Sequence, residues 1–193
     1  MAGATADILV SYRGALTAVD TWSGIVSRWS QSQQGDSFWI APPNEAEDAS
    51  PLPFFWDFKR QSDEQWVFDG LPGAAETIRM HFGFRPFASI GVGAMCRGRP
   101  SDQVLARLTS EFLATHEGVL LFHGLLAPTL NPEKWRLWDR LPPAERASEF
   151  EAQVGHLGGR LIPVPADDEP CYHAADATFL QRWMSHAEFH FVN

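Results

Sequence analysis

The chain has little cysteine, little lysine and no apolar run of the length a bilayer demands. Its 193 residues contain two Cys, Cys96 and Cys171. That is too few for a disulfide framework, and in a reducing compartment such a pair stays as free thiols. Lys occurs only at Lys59 and Lys134 and Arg is scattered, so the clustered cations that dominate affinity for phosphate backbones are missing. Nucleic acid is excluded as a partner on that ground. No apolar stretch approaches the roughly 20 residues that cross a bilayer, and a negative balance is repelled by anionic lipid, so membrane is excluded too. The N-terminal Met-Ala-Gly-Ala-Thr-Ala-Asp has no basic n-region and no uninterrupted apolar core. It does not read as a secretory signal, and the expected location is the cytoplasm. Neither GxxxxGK(S/T), GxGxxG nor GxSxG occurs, so nucleotide cofactors and esterase chemistry have no support.

What is present is acid and aromatic side chains. Lys and Arg number 15 against 24 Asp and Glu, a net charge of −9, and apolar residues make up 45% of the chain with 14 Phe and 8 Trp. Such a chain has ample material to offset its conformational entropy in one core. The acidic surplus is spread along the whole length rather than held in a tail.

Residues 7–12 read as a strand, followed by Leu16, Val19, Trp22, Val26 and Trp29 at helical spacing, with Gly35 as a stop. Strands are expected at 37–41 and 54–59, joined by the Pro-rich loop PPNEAEDASPLP, then as a meander at 65–68, 76–84 and 87–96. Ser101 is the expected N-cap of a helix whose stripe is Val104, Leu105, Leu108, Phe112 and Leu113, ended by Gly118. A strand at 119–122 then completes a strand–helix–strand crossover. A helix at 143–156, strands at 160–164 and 171–174, a helix capped by Asp176 and a strand at 189–192 complete the reading. Unequal runs of strands and helices favour an α+β single domain over 1–193, a mixed or mostly antiparallel sheet with about three to four helices packed on it.

Three constellations have residue types capable of chemistry. His186 and His190 stand four apart near Cys171 and His173, the spacing of a metal pair, but no HExxH accompanies them; surface and sheet-edge histidines are the plainer reading. Cys96 lies in Gly93-Ala-Met-Cys-Arg-Gly98 near a helix N-terminus, a setting that activates a thiol. A buried, inert cysteine is the commoner outcome. The carboxylates Glu45, Glu47, Asp48, Asp63, Glu64, Asp167, Asp168 and Glu169 fall in loops bounded by Pro or Gly, where solvated acid is the default. No catalytic, cofactor or metal residue is assigned. Trp39, Trp56, Trp66, Trp135 and Trp138 lie beside loops and charges, whereas Trp22, Trp29 and Trp183 sit in helical stripes that point to the core. Since Trp and Arg dominate interface hot spots, those five Trp and the eight loop carboxylates are the expected partner-binding residues.

Ala88 to Cys96, the helix after Asp102, Gly118 to Leu126 and Tyr172 to Phe189 together resemble small acidic bacterial immunity-like proteins of polymorphic-toxin and type VI secretion systems. The resemblance covers residues 87–193 and leaves 1–86 as a separate sub-region. It implies a cytoplasmic protein that binds a cognate toxin or effector and occludes its active site, with no catalytic residue of its own. The acidic balance fits a partner with a basic surface. The alternatives are a small enzyme built on Cys96 or a histidine, and an effector adaptor or chaperone.

Overall fold

In the computed structural model the segment expected at 7–12 forms strand β1, Thr5–Val10, and occupies the middle of the sheet. The structure describes residues 3–42, 50–62, 73–96, 98–122, 142, 145, 154–164, 172–186 and 189. The elements are α1 (Tyr12–Trp29), β2 (Ser30–Gln34), β3 (Ser37–Ile40), β4 (Leu52–Arg60), α2 (Ala74–Phe82), β5 (Ala88–Ala94), α3 (Arg99–Leu113), β6 (Gly118–Phe122), β7 (Leu161–Val164), β8 (Tyr172–Ala175) and α4 (Ala177–Met184). Eight strands form one sheet in the order β2-β3-β4-β5-β1-β6-β8-β7, every neighbouring pair antiparallel. This is an α+β domain, as expected. Because β1 lies between β5 and β6, residues 1–86 and 87–193 contribute to the same sheet. The same placement makes β5 and β6 parallel to each other, so β5–α3–β6 is the expected crossover, with β1 threaded between its strands.

Strand alternation sorts the side chains onto two faces. Ile8, Phe38, Phe54, Ile90, Val92, Leu120 and Phe122 join the buried stripes of α1, α3 and α4, among them Trp22, Leu105, Leu108, Phe112, Phe179 and Trp183, in the main core. Trp22 and Phe112 meet edge to face with ring centroids 6.0 Å apart, and truncating either to Ala costs about 3–5 kcal/mol. The opposite face is covered by α2, where Ala74 and Ile78 pack on Leu9, Val119, Leu121, Ile162, Val164 and Ala174. No helix among the described residues is long and apolar enough to cross a membrane.

Several local expectations need correction. Residues 76–84 are largely α2 rather than a strand of a meander; Gly73 and Gly83, both in the left-handed region, bracket the helix. In α1 the buried face is Ala18, Trp22, Ile25 and Val26, whereas Leu16 is 71% and Trp29 39% exposed. Gly35 (φ 59°) does not stop α1, which ends at Trp29; it serves the β2–β3 hairpin turn, where a positive φ is required. Gly98, not Ser101, caps α3, and Ser101 lies buried in its first turn. Gly118 opens β6 rather than ending α3. The Asp176 cap is found as expected: its carboxylate accepts from Phe179 N–H at 2.8 Å and also from Arg160 N–H at 3.0 Å, tying α4 to the start of β7. The strand expected at 65–68 and most of the helix at 143–156 lie outside the described residues. Within the latter range, residues 155–156 open a short 3-10 turn, Gly155–Leu157. Of the strand at 189–192 only Phe189 is described, and it is buried.

Candidate functional site

Arg28 and Trp29 close α1, in the last turn, where a cation suits the helix dipole. Arg28 points away from the buried Ala18–Trp22–Ile25–Val26 face and Trp29 ends it partly exposed, and both side chains reach α3. There they meet one carboxylate. Trp29 Nε1–H donates to Glu111 Oε2 at 2.7 Å, and the Arg28 guanidinium forms an ion pair with Glu111 Oε1. Burial raises the Glu111 carboxyl, but the hydrogen bonds from Arg28 and Trp29 and the charge of Arg28 outweigh it and hold Glu111 below the usual carboxylate range.

Along the same α1–α3 line, His116 stacks on Phe112 with ring centroids 4.6 Å apart. Its Nε2 lies 3.1 Å from Thr17 Oγ1 and its Nδ1 3.2 Å from Thr115 Oγ1. Burial lowers its pKa, so the ring is neutral at pH 7. Asp20, Gly24, Ile25, Arg28, Glu111 and His116 line a groove of about 390 Å³ between the two helices. A carboxylate already taken up by a guanidinium and an indole does not serve as a general base. What the arrangement does is hold an Arg and a Trp in fixed positions beside a groove open to solvent.

Away from the strands that α2 covers, the second sheet face offers a different surface. Asp57 and Asp7 flank Gly91 from β4 and β1 in one cross-strand row, and a Cβ at Gly91 would run into the Asp57 carboxylate. Lys59 Nζ sits 3.1 Å from Asp57 Oδ2. Phe55, 37% exposed, lies over Gly93, and Trp39 stands on the same face opposite Pro53.

The Cys96 thiol is half-buried, and Sγ lies 3.1 Å from Ser101 Oγ, a hydroxyl rather than a histidine. His173 lies fully buried in β8, its pKa lowered by burial to about 4. His156 and His186 approach edge to face at 6.4 Å, with His186 stacked on Trp183. Among the described residues no three His, Cys, Asp or Glu side chains gather as metal ligands. Cys171 and His190 lie outside them.

Of the expected partner-binding residues, Trp39 and Trp56 are described, and they point to opposite faces: Trp56 packs partly buried against the main core. Glu45, Glu47, Asp48, Asp63, Glu64, Trp66, Trp135, Trp138, Asp167, Asp168 and Glu169 lie outside the described residues. The described residues hold ten Lys or Arg and ten Asp or Glu, against 15 and 24 in the whole chain. The entire negative surplus therefore belongs to the segments outside them. Sequence reasoning missed Arg28, Trp29, Glu111 and His116, because Trp29 continues the spacing of the α1 stripe. The available signal was the adjacent Arg-Trp pair immediately before the polar run Ser30 to Gln34.

A family model matches residues 2–193 over nearly the full length. The chain belongs to DUF6368, a family of unknown function. No curated protein and no solved structure matches it.

Proposed function

We propose that the protein works by binding another protein, as an immunity protein that holds a cognate toxin or effector and occludes its active site. The observation that carries the reading is the pair Arg28 and Trp29, 61% exposed at the Arg28 side chain and 39% at Trp29, both held by Glu111 beside the α1–α3 groove. Arg and Trp are the side chains that dominate hot spots, and fixing them before contact removes the entropy cost of ordering them on binding. The acidic surplus supports a partner with a basic surface, since complementary charge speeds association. The resemblance over residues 87–193 supports the same role.

The test is co-expression with the toxin or effector encoded beside this chain. Protection of the host together with a stable complex is the expected result. Growth arrest with no complex overturns the proposal. In the complex, Arg28→Ala and Trp29→Ala should each weaken affinity about 30-fold, as a hot spot worth about 2 kcal/mol requires. Phe55→Ala, on the other sheet face, should leave affinity within about twofold of the parent.

A further inference from the structure

The α1–α3 groove has a floor that packing does not explain. Gly24 lies well inside α1, where glycine is the poorest helix former after proline. Its backbone is helical, so no positive φ calls for glycine there. A Cβ at Gly24 would meet only Arg28 Nη1, at 3.9 Å, which is ordinary contact. Gly14 in the same helix is different: a Cβ there would press on the Val10 Cβ at 3.3 Å and the Glu117 carbonyl oxygen at 3.4 Å. Packing therefore accounts for Gly14 and not for Gly24. What the missing side chain does at Gly24 is keep the groove of about 390 Å³ open.

The walls set the charge of whatever enters. Arg28 and Glu111 neutralise each other, and His116 is uncharged at pH 7. Asp20, one turn before Gly24 on the same helix face, is exposed and forms no hydrogen bond or ion pair with any described residue. The lining thus carries two anions and one cation, a surplus of one negative charge. Its hydrogen-bonding groups lean the same way. The Asp20 and Glu111 carboxylates only accept, Glu111 keeps lone pairs beyond the bonds it takes from Arg28 and Trp29, and the Thr21 hydroxyl adds another acceptor. A guanidinium is the complement of such a lining: positive, without acceptors, and with five N–H donors in a planar fork that matches a carboxylate. An ammonium matches the charge but is a compact, strongly hydrated point that cannot span two walls in this way.

We infer that the α1–α3 groove is an arginine pocket, in which a guanidinium side chain of the partner enters over Gly24 and pairs with Asp20. The inference rests on the reading of Arg28 and Trp29 as anchors for a basic partner, and adds the side chain that lodges between α1 and α3.

The probe is N-acetyl-arginine methylamide, titrated into the isotope-labelled full chain with no toxin or effector present. Failure here leaves protection on co-expression untouched, and failure there leaves this result standing. Amide shifts in NMR spectra should saturate in the millimolar range and cluster on Asp20 to Arg28 of α1 and Glu111 to His116 of α3. The citrulline analogue, of the same shape without the charge, should produce none, and the lysine analogue should bind about threefold more weakly or worse. Asp20→Asn should weaken arginine binding about fivefold with an unchanged circular dichroism spectrum. Gly24→Leu fills the floor with a better helix former, so it should abolish the shifts while the melting temperature stays at or above the parent's. No saturable shift, an equal response to citrulline, lysine bound as tightly as arginine, or parent-like binding by Asp20→Asn would each overturn the inference. A Gly24→Leu variant that melts below the parent would overturn it too, since packing would then require the glycine.

Discussion

Trp29 and Glu111 are joined by a hydrogen bond of 2.7 Å across 82 positions of sequence, and the second oxygen of that carboxylate is taken by the neighbouring Arg28. One acidic side chain on α3 thus fixes the end of α1 and the two residues most suited to anchor a partner.

Replacing that carboxylate should separate its two roles. Glu111→Gln keeps the size and an acceptor but loses the charge. An exposed, charge-assisted contact of this kind is worth about 1 kcal/mol, so thermal denaturation should shift down by about 2–4 °C. Partner affinity should fall further than this stability loss implies, because Arg28 and Trp29 lose their fixed positions. An unchanged melting temperature together with unchanged affinity would show that Glu111 organises neither.

His173 sets a pH dependence of stability. Burial lowers its folded-state pKa from 6.5 to about 4. Between those values the unfolded chain binds the extra proton, so stability is full above the ordinary value and falls as pH drops through the window. The loss amounts to about 3 kcal/mol by the lower end. Denaturant titrations of the parent across the window should show this slope, and His173→Gln should flatten it. Glu111, held below the carboxylate range, adds its own loss only at lower pH, as its folded-state value is crossed. A parent whose midpoint does not move between the two His173 values would refute the assignment.

Two glycines four residues apart should respond oppositely to alanine. Gly159 has φ of 80°, and a Cβ there would overlap the Phe179 backbone at the start of α4. Gly155 has open space around its Cβ position. Gly159→Ala should cost about 3 kcal/mol from the left-handed backbone and the overlap together, while Gly155→Ala should stay within about 0.5 kcal/mol of the parent. Equal midpoints in urea for the two variants would contradict the packing of the Gly159 turn on the start of α4.

Association with a basic partner should depend on charges that lie away from the sheet. Because the described residues balance ten cations against ten anions, steering must come from carboxylates such as Glu45, Glu47 and Asp48. Converting those three to Gln, Gln and Asn should slow the on-rate several-fold at low salt and reduce its fall with added salt, leaving the off-rate nearly unchanged. Stopped-flow measurements over a salt series decide this; an on-rate indifferent to both changes would leave the partner's basicity without support.

How much of this was legible in the sequence follows from which forces act locally. The α3 stripe and the Asp176 cap could be read because both depend on residues three or four apart. The α2 helix was misread as a strand because Thr77, Ile78 and the aromatic residues Phe82 and Phe84 carry β propensity, and the two left-handed glycines that bound the helix announce themselves only by their φ. Leu16 is exposed because the buried face of α1 is the one carrying Ala18, Trp22, Ile25 and Val26, and Leu16 points away from it; Trp29 lies on that side of the helix but at its end, and is 39% exposed. The Glu111 cluster joins α1 to α3 through side chains that no spacing rule relates. The pairing of Asp7 and Asp57 over Gly91 likewise exists only once β1 is placed between β5 and β6.

That placement of β1 also orders the events of folding. The partners of Thr5–Val10 are Ala88–Gly93 and Gly118–Phe122, so the middle of the sheet cannot close until most of the chain is available. The β2–β3–β4 hairpins need only neighbours in sequence and are free to form early. The central strand waits, with Ile8, Leu9 and Val10 uncovered in the meantime. Contacts of such long sequence separation slow folding and prolong the exposure of an apolar strand. The cost of threading β1 through the crossover is thus kinetic, and it falls on the nascent chain rather than on the finished protein.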